Sequence, residues 1–213
     1  MFLKMWNVSE MSLESFNNYL DVDPGSYLNI NNGYIMPYCD DPFGDERIGK
    51  SVYLHIINNA SRYLYIMSPY LVLDNVMISA LKYAGKKGMD VRLILPGVPD
   101  KAYAFCLART YYRELIENGI KLYEFTPGFV HAKMFLADDE IATVGSVNLD
   151  YRSLQLHFEN GCLIYRNHII EDIMDDFNKT FQKCRQVNLT MCDNRPVYYK
   201  LAGQILKIIA PLM

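Results

Sequence analysis

An imidazole and an ammonium stand two residues apart, at His131 and Lys133, and eleven residues of chain separate Lys133 from the run Gly145-Ser146-Val147-Asn148. In an extended strand, residues two apart point the same way, so His131 and Lys133 share one side. Segments 133–137 and 141–145 read as a hairpin across Asp138-Asp139-Glu140. Such a hairpin returns the 145–148 run to the neighbourhood of His131. A histidine, a lysine, a serine hydroxyl and an asparagine amide then converge on one point, a set that suits a tetrahedral anion. Lys133 neutralises charge, and Ser146 and Asn148 donate hydrogen bonds to its oxygens. The imidazole can attack phosphorus or carry a proton. It needs a partner that sets its tautomer, and Glu159, expected just before a strand at 161–165, is the candidate. Asp138 lies in the turn of the hairpin and is expected to organise that turn.

The elements that must position these groups alternate. The first 20 residues read as a helix with no cap before it, closed by the turn-rich Asp21-Val22-Asp23-Pro24-Gly25; its abrupt start fits the end of an upstream domain and an ordinary N-terminal helix equally well. Residues 33–39 are a strand, and Pro37 places it at an edge. A helix over 47–60 leads to a buried strand at 63–67. Asp74 caps a helix that runs to Gly88. A strand at 91–95 follows, then a helix started by Asp100 and ended by Gly119, then a strand at 121–125. After the hairpin and the strand at 161–165, residues 168–184 show a strong amphipathic helical period. Helices and strands in this order imply an α/β sandwich with a mixed sheet. The division expected is an N-terminal helix at 1–25, a catalytic unit at 26–190 and an amphipathic tail at 191–213.

That tail carries Leu201, Ile205, Ile208, Ile209 and Leu212 on one helical face and Lys200, Gln204 and Lys207 on another. A helix lying in a membrane's headgroup layer fits this pattern, and so does a helix docked on the protein's own core. Aromatic Tyr70 and Phe129 are candidates for lining a lipid cleft. Asp150 and Arg152 are placed to form a local salt bridge.

Bulk composition narrows the function classes. Hydrophobic residues make up 51% of the 213-residue chain, which excludes disorder. A formal net charge of −3, with Lys86-Lys87 the one basic doublet, argues against nucleic acid as a partner. The five cysteines form no CxxC pair, so free thiols fit better than a disulfide framework or a zinc site. No apolar run is long enough to span a bilayer.

The pattern His131-x-Lys133-x4-Asp138-x6-Gly145-Ser146-x-Asn148 matches the HKD motif of the phospholipase D superfamily at six fixed positions. Chance would produce that roughly once in tens of millions of positions. The extension Asn148-Leu149-Asp150-Tyr151-Arg152-Ser153, with Ser68-Pro69-Tyr70, Leu95-Pro96-Gly97-x-Pro99-Asp100 and Pro127-Gly128-Phe129-Val130-His131, resembles the C-terminal half of bacterial cardiolipin synthases. The likeness covers residues 33–186.

This resemblance implies a phospholipase D-like α/β/α sandwich carrying a single HKD half. It implies a catalytic set of His131, Lys133, Asp138 and Glu159, with phosphate held by Lys133, Ser146 and Asn148, and neither metal nor cofactor. Two such halves share one site: one histidine forms a phosphohistidine, and the other protonates the leaving alcohol and activates the incoming one. His131 is one of that pair, and is read as the nucleophile. The implied reaction joins two phosphatidylglycerol molecules into cardiolipin and glycerol at the bacterial cell membrane. One motif is present here, so the second half comes from a longer chain or from a homodimer, as in single-motif nucleases of the superfamily. Phosphodiester hydrolysis, or a silent half that completes a partner, are the alternatives.

Overall fold

The computed structural model describes residues 1–11, 14–19 and 33–210. Eight strands form one mixed sheet: β1 (Tyr34–Asp40), β2 (Tyr63–Met67), β3 (Asp90–Pro96), β4 (Lys121–Phe125), β5 (Met134–Ala137), β6 (Ile141–Gly145), β7 (Glu159–Tyr165) and β8 (Cys184–Val187). Their spatial order is β1-β7-β6-β5-β2-β3-β4-β8. β2, β3 and β4 run parallel, and every other pairing is antiparallel. The parallel strands are joined by α3 (Asn75–Lys86) and α4 (Ala102–Glu117), the crossovers that parallel pairing requires.

Strand alternation separates two cores. Leu64 and Ile66 of β2 face a core shared with α2 (Ile48–Asn59), α3 and α4, whereas Tyr65 and Met67 face α6 (Ile169–Phe181). On the first side Tyr53 of α2 stacks on Phe135 of β5 at 4.0 Å. On the second, Tyr65 meets Phe181 edge-on at 5.3 Å. The expected α/β/α sandwich is what forms.

β1 lies at the sheet edge, where Pro37 costs no central ladder bond. Asp74 caps α3 by accepting from Met77 N at 2.8 Å. Four expectations need correction. The first helix, α1 (Phe2–Glu10), ends at Met11 in the left-handed region, and a 3-10 turn follows at Phe16–Tyr19. The Asn7 amide there pairs with the backbone of Glu14, a local alternative to continuing the helix. The turn at 21–25 lies outside the described residues. α4 starts after Lys101, because Asp100 accepts from the Tyr70 hydroxyl rather than capping the helix. α6 stops at Phe181, and Cys184 instead opens β8, whose Arg185 pairs with the buried Glu124 of β4. Glu159 stands inside β7 and is buried, not in a loop before it.

Asp138 is the pin of the hairpin. Asp138 and Asp139 have φ of 58° and 61°, and Glu140 N bonds to Ala137 O, the geometry of a tight primed turn. Aspartate tolerates that left-handed backbone better than most side chains. The Asp138 carboxylate accepts from the amides of Ser61, Arg62 and Tyr63 at 2.7–2.9 Å and from the Ser61 hydroxyl at 2.8 Å. This fastens the hairpin to the start of β2. Burial acts to raise the Asp138 pKa, but these bonds outweigh it and hold the carboxyl below its ordinary 3.8. Asp138→Asn should cost about 1–2 kcal/mol at neutral pH, since charged acceptors bind amides more strongly. The depressed pKa means this contribution is complete above the unfolded value and is lost as pH falls through the folded one. Denaturant melts of both proteins should therefore differ down to pH 3.8 and converge below it. A gap that closes at higher pH would assign the stabilisation elsewhere.

Candidate active site

His131 and Lys133 lie immediately before β5, and Gly145 ends β6 with Ser146-Val147-Asn148 immediately after it, so the hairpin brings both groups to one open groove. Gly145 is opposite Gly161 of β7. A Cβ at Gly145 would sit 2.3 Å from Asn160 O, so no side chain fits at this motif position. The loop beyond is held residue by residue. Ser146 donates to the Glu159 carboxylate and accepts from Asn160 N at 3.0 Å. Val147 O accepts from the buried Tyr53 hydroxyl. Asn148 N bonds to Ser153 Oγ at 2.8 Å, and Leu149 N to Ser68 Oγ at 3.1 Å. Ser153 itself donates to the other oxygen of Glu159.

Glu159 therefore does not orient His131 within this chain. Both of its oxygens accept from serines, and His157 Nδ1 lies 3.6 Å from one of them. Among the described residues the His131 imidazole makes no hydrogen bond. It is exposed and lies 5.6 Å from the Phe129 ring. Phe129 in turn is 6.1 Å from Tyr70, so these aromatics form the rim beside the histidine. Asp138 is absent from the groove and occupies the far end of the hairpin. Its place in the catalytic set is thereby corrected: what it touches is the turn into β2, not the groove.

Lys133 is buried, and its ammonium donates to His131 O at 2.7 Å. Burial lowers its pKa, opposed by the negative charges of Glu159 and Asp150. Burial, then the Lys133 charge, pushes His131 below its ordinary 6.5, against a smaller pull from Asp100. This shift favours the neutral imidazole, the form that can attack phosphorus. The Asn148 Oδ1 is buried without a partner among the described residues. Asp150 caps the short helix α5 (Tyr151–Gln155) by accepting from Ser153 N at 2.7 Å. The expected Asp150–Arg152 pair does not form; Arg152 Nε approaches His157 Nε2 at 2.6 Å instead.

Ser153, Ser68 and His157 support this site; the two serines lie in the family-like segments, but those segments do not reveal what they bond. Ser153 has a local signal, the Asp-x-x-Ser spacing of a helix cap. Ser68 has none, because its partner Leu149 is distant in the chain. Among the described residues no cluster of His, Cys, Asp and Glu could hold a metal, and no helix is long and apolar enough to cross a membrane.

A mixed sheet between helical layers, with histidine and lysine at one hairpin end, defines a phospholipase D-like unit. A crystal structure of a phospholipase D family member, Nuc from Salmonella typhimurium, superposes with a TM-score of 0.61 at 19% identity, covering 73% of this chain and 98% of that one. The family model described as the phospholipase D-like domain of cardiolipin synthase matches residues 53–184, and the chain belongs to that family. It is 45% identical over its full length to an uncharacterised protein of Streptococcus mutans, covering 46% of it. It is 31% identical to a cardiolipin synthase of Alkalihalophilus pseudofirmus, over the whole chain and 42% of that relative. The chain thus spans less than half the length of these curated relatives.

In an NMR titration, the His131 ring protons should show a midpoint below 6.5. Lys133→Met removes a charge that disfavours the imidazolium, so the midpoint should move up. A midpoint that stays put in that variant would show that Lys133 does not tune the imidazole.

Proposed function

We propose that this chain is one half of a cardiolipin synthase-like phosphatidyltransferase, with His131 as the group that bonds phosphorus. The observation that carries the reading is an exposed imidazole, unbonded among the described residues, at an open groove beside a buried ammonium and the Ser146–Asn148 loop. His131 Nε2 attacks the phosphodiester of one phosphatidylglycerol, glycerol leaves with a proton from a second histidine, and a phosphatidyl-histidine remains. The hydroxyl of a second phosphatidylglycerol then gives up its proton to that histidine and takes the phosphatidyl group, forming cardiolipin.

Lys133 offsets the charge that develops on the phosphoryl oxygens. Ser146 acts through Glu159: its hydroxyl proton is committed there, so it shapes the loop more than it donates to phosphate. The orphan Asn148 Oδ1 suits a headgroup hydroxyl, while the amide's NH2 is engaged by the Asp150 carboxylate. The groove is open, and the relatives have room for a second unit of this size. That supports a partner half, from the same polypeptide or a second copy, that supplies the other histidine and a carboxylate for His131. It also supports a site that meets the membrane from one side.

The test is incubation of the protein, expressed from its complete reading frame, with phosphatidylglycerol vesicles. Cardiolipin and glycerol in equal amounts are expected. Phosphatidic acid alone would replace transfer with hydrolysis. His131→Ala should lower turnover by roughly 10³-fold or more and remove the acid-labile phosphoryl label. Normal activity in that variant would overturn the mechanism.

A further inference from the structure

The C-terminal helix, α8 (Val197–Ile209), is docked with its faces the opposite way to what burial of apolar surface predicts. It packs on α4 through Gly203, where an added Cβ would lie 2.5 Å from Thr110 Cγ2, and through Leu206 and the following Ala210. Lys207 covers the Tyr111 ring at 4.4 Å. The aliphatic row faces outward: Val197 is 79% exposed, Leu201 62%, Ile205 56% and Ile208 80%. Such a contiguous row marks a surface that something covers.

Beside the row, α4, α7 (Leu189–Asp193) and the start of α8 enclose a pocket rich in cations. It is lined by Arg109, Arg113, Arg195 and Lys200, with Asp193 as the carboxylate among them. Arg113 bonds Asp193 and Glu117, and Arg109 shares the buried Glu124 with Arg185. Among the described residues Arg195 bonds the Arg109 carbonyl at 2.8 Å and a sulfur at 4.0 Å and lies over the Tyr112 ring at 5.0 Å, and Lys200 bonds the Asp193 carbonyl at 2.8 Å. Neither has a carboxylate partner among the described residues. Burial, then the nearby Arg109 charge, pushes the Arg195 guanidinium below its ordinary range, against smaller pulls from Cys192, Tyr112 and Glu124. In a chain with net charge −3, this pocket is a local reversal of sign.

We propose that α8 docks this protein on an anionic bilayer. Its outward aliphatic row enters the acyl region, and the pocket between α4, α7 and α8 holds the phosphate of one lipid through Arg195 and Lys200. Charge complementarity and the adjoining aliphatic row together select a lipid over a soluble anion. The site is separate from the catalytic groove, yet tied to it. Ala210, at the far end of α8, lines a cavity with Asn148 and Asp150, roughly 15 Å along the helix from Lys200. A docked α8 would hold the groove near the membrane face.

The test is co-sedimentation of the chain with phosphatidylcholine vesicles with and without phosphatidylglycerol. A His131→Ala background excludes turnover, so the outcome is independent of the transfer chemistry. Binding should require phosphatidylglycerol and weaken with salt. Arg195→Gln and Lys200→Gln should each weaken it by about fivefold, and Ile205→Asp with Ile208→Asp by at least tenfold. Lys200 and the two isoleucines are exposed, so these variants should keep the parent melting curve even if Arg195→Gln does not. Unchanged binding in the lysine or isoleucine variants, or equal binding to neutral vesicles, would overturn the proposal. So would occupation of the pocket by inorganic phosphate without affinity for vesicles.

Discussion

The buried carboxylate of Glu159 is the constraint on which the groove depends. Burying an ionised carboxylate is costly unless hydrogen bonds and nearby positive charge compensate it. Here two serine hydroxyls, from Ser146 and Ser153, each take one oxygen, and the Lys133 charge lies close enough to interact. Those two serines belong to different elements, the loop after β6 and the helix α5. Their shared acceptor therefore fixes the loop that faces His131 against the helix behind it. Ser153 passes the constraint on through its bond to Asn148 N, and Ser68 carries it to the segment after β2.

The HKD motif divides its labour along one hairpin. At one end, His131 and Lys133 face the groove with little to restrain the imidazole. At the other, Asp138 uses a left-handed turn to reach three backbone amides at the start of β2. One residue thus fixes where the hairpin sits in the sheet, and the others line the groove that this placement forms.

Amphipathic period and direction of burial are separate properties, and α8 shows the difference. In α6 the apolar face, with Ile170, Ile173 and Phe177, turns into the core. In α8 the apolar row turns out, because the small Gly203 lets the helix seat closely on α4 through its other side. A helical period alone says that two faces exist; the packing partner decides which one is covered.

The sequence by itself determined the α/β/α class, nearly every strand of the sheet, and the meeting of His131 with Lys133 and the 145–148 loop. Those features rest on short-range rules: side chains alternate along strands, hairpins reverse the chain, and motif spacing sets the register. Tertiary structure alone decided what Glu159 bonds, that β8 follows α6, and which way α8 faces. The β8 segment, Cys184-Arg185-Gln186-Val187, has too little apolar alternation to announce a strand, and only Glu124 on β4 gives Arg185 its place. Glu159 had several possible partners in reach of a carboxylate, and the loop that closes around it selected Ser146 and Ser153 over His131. Such choices depend on contacts between residues far apart in the chain, and no local pattern records them.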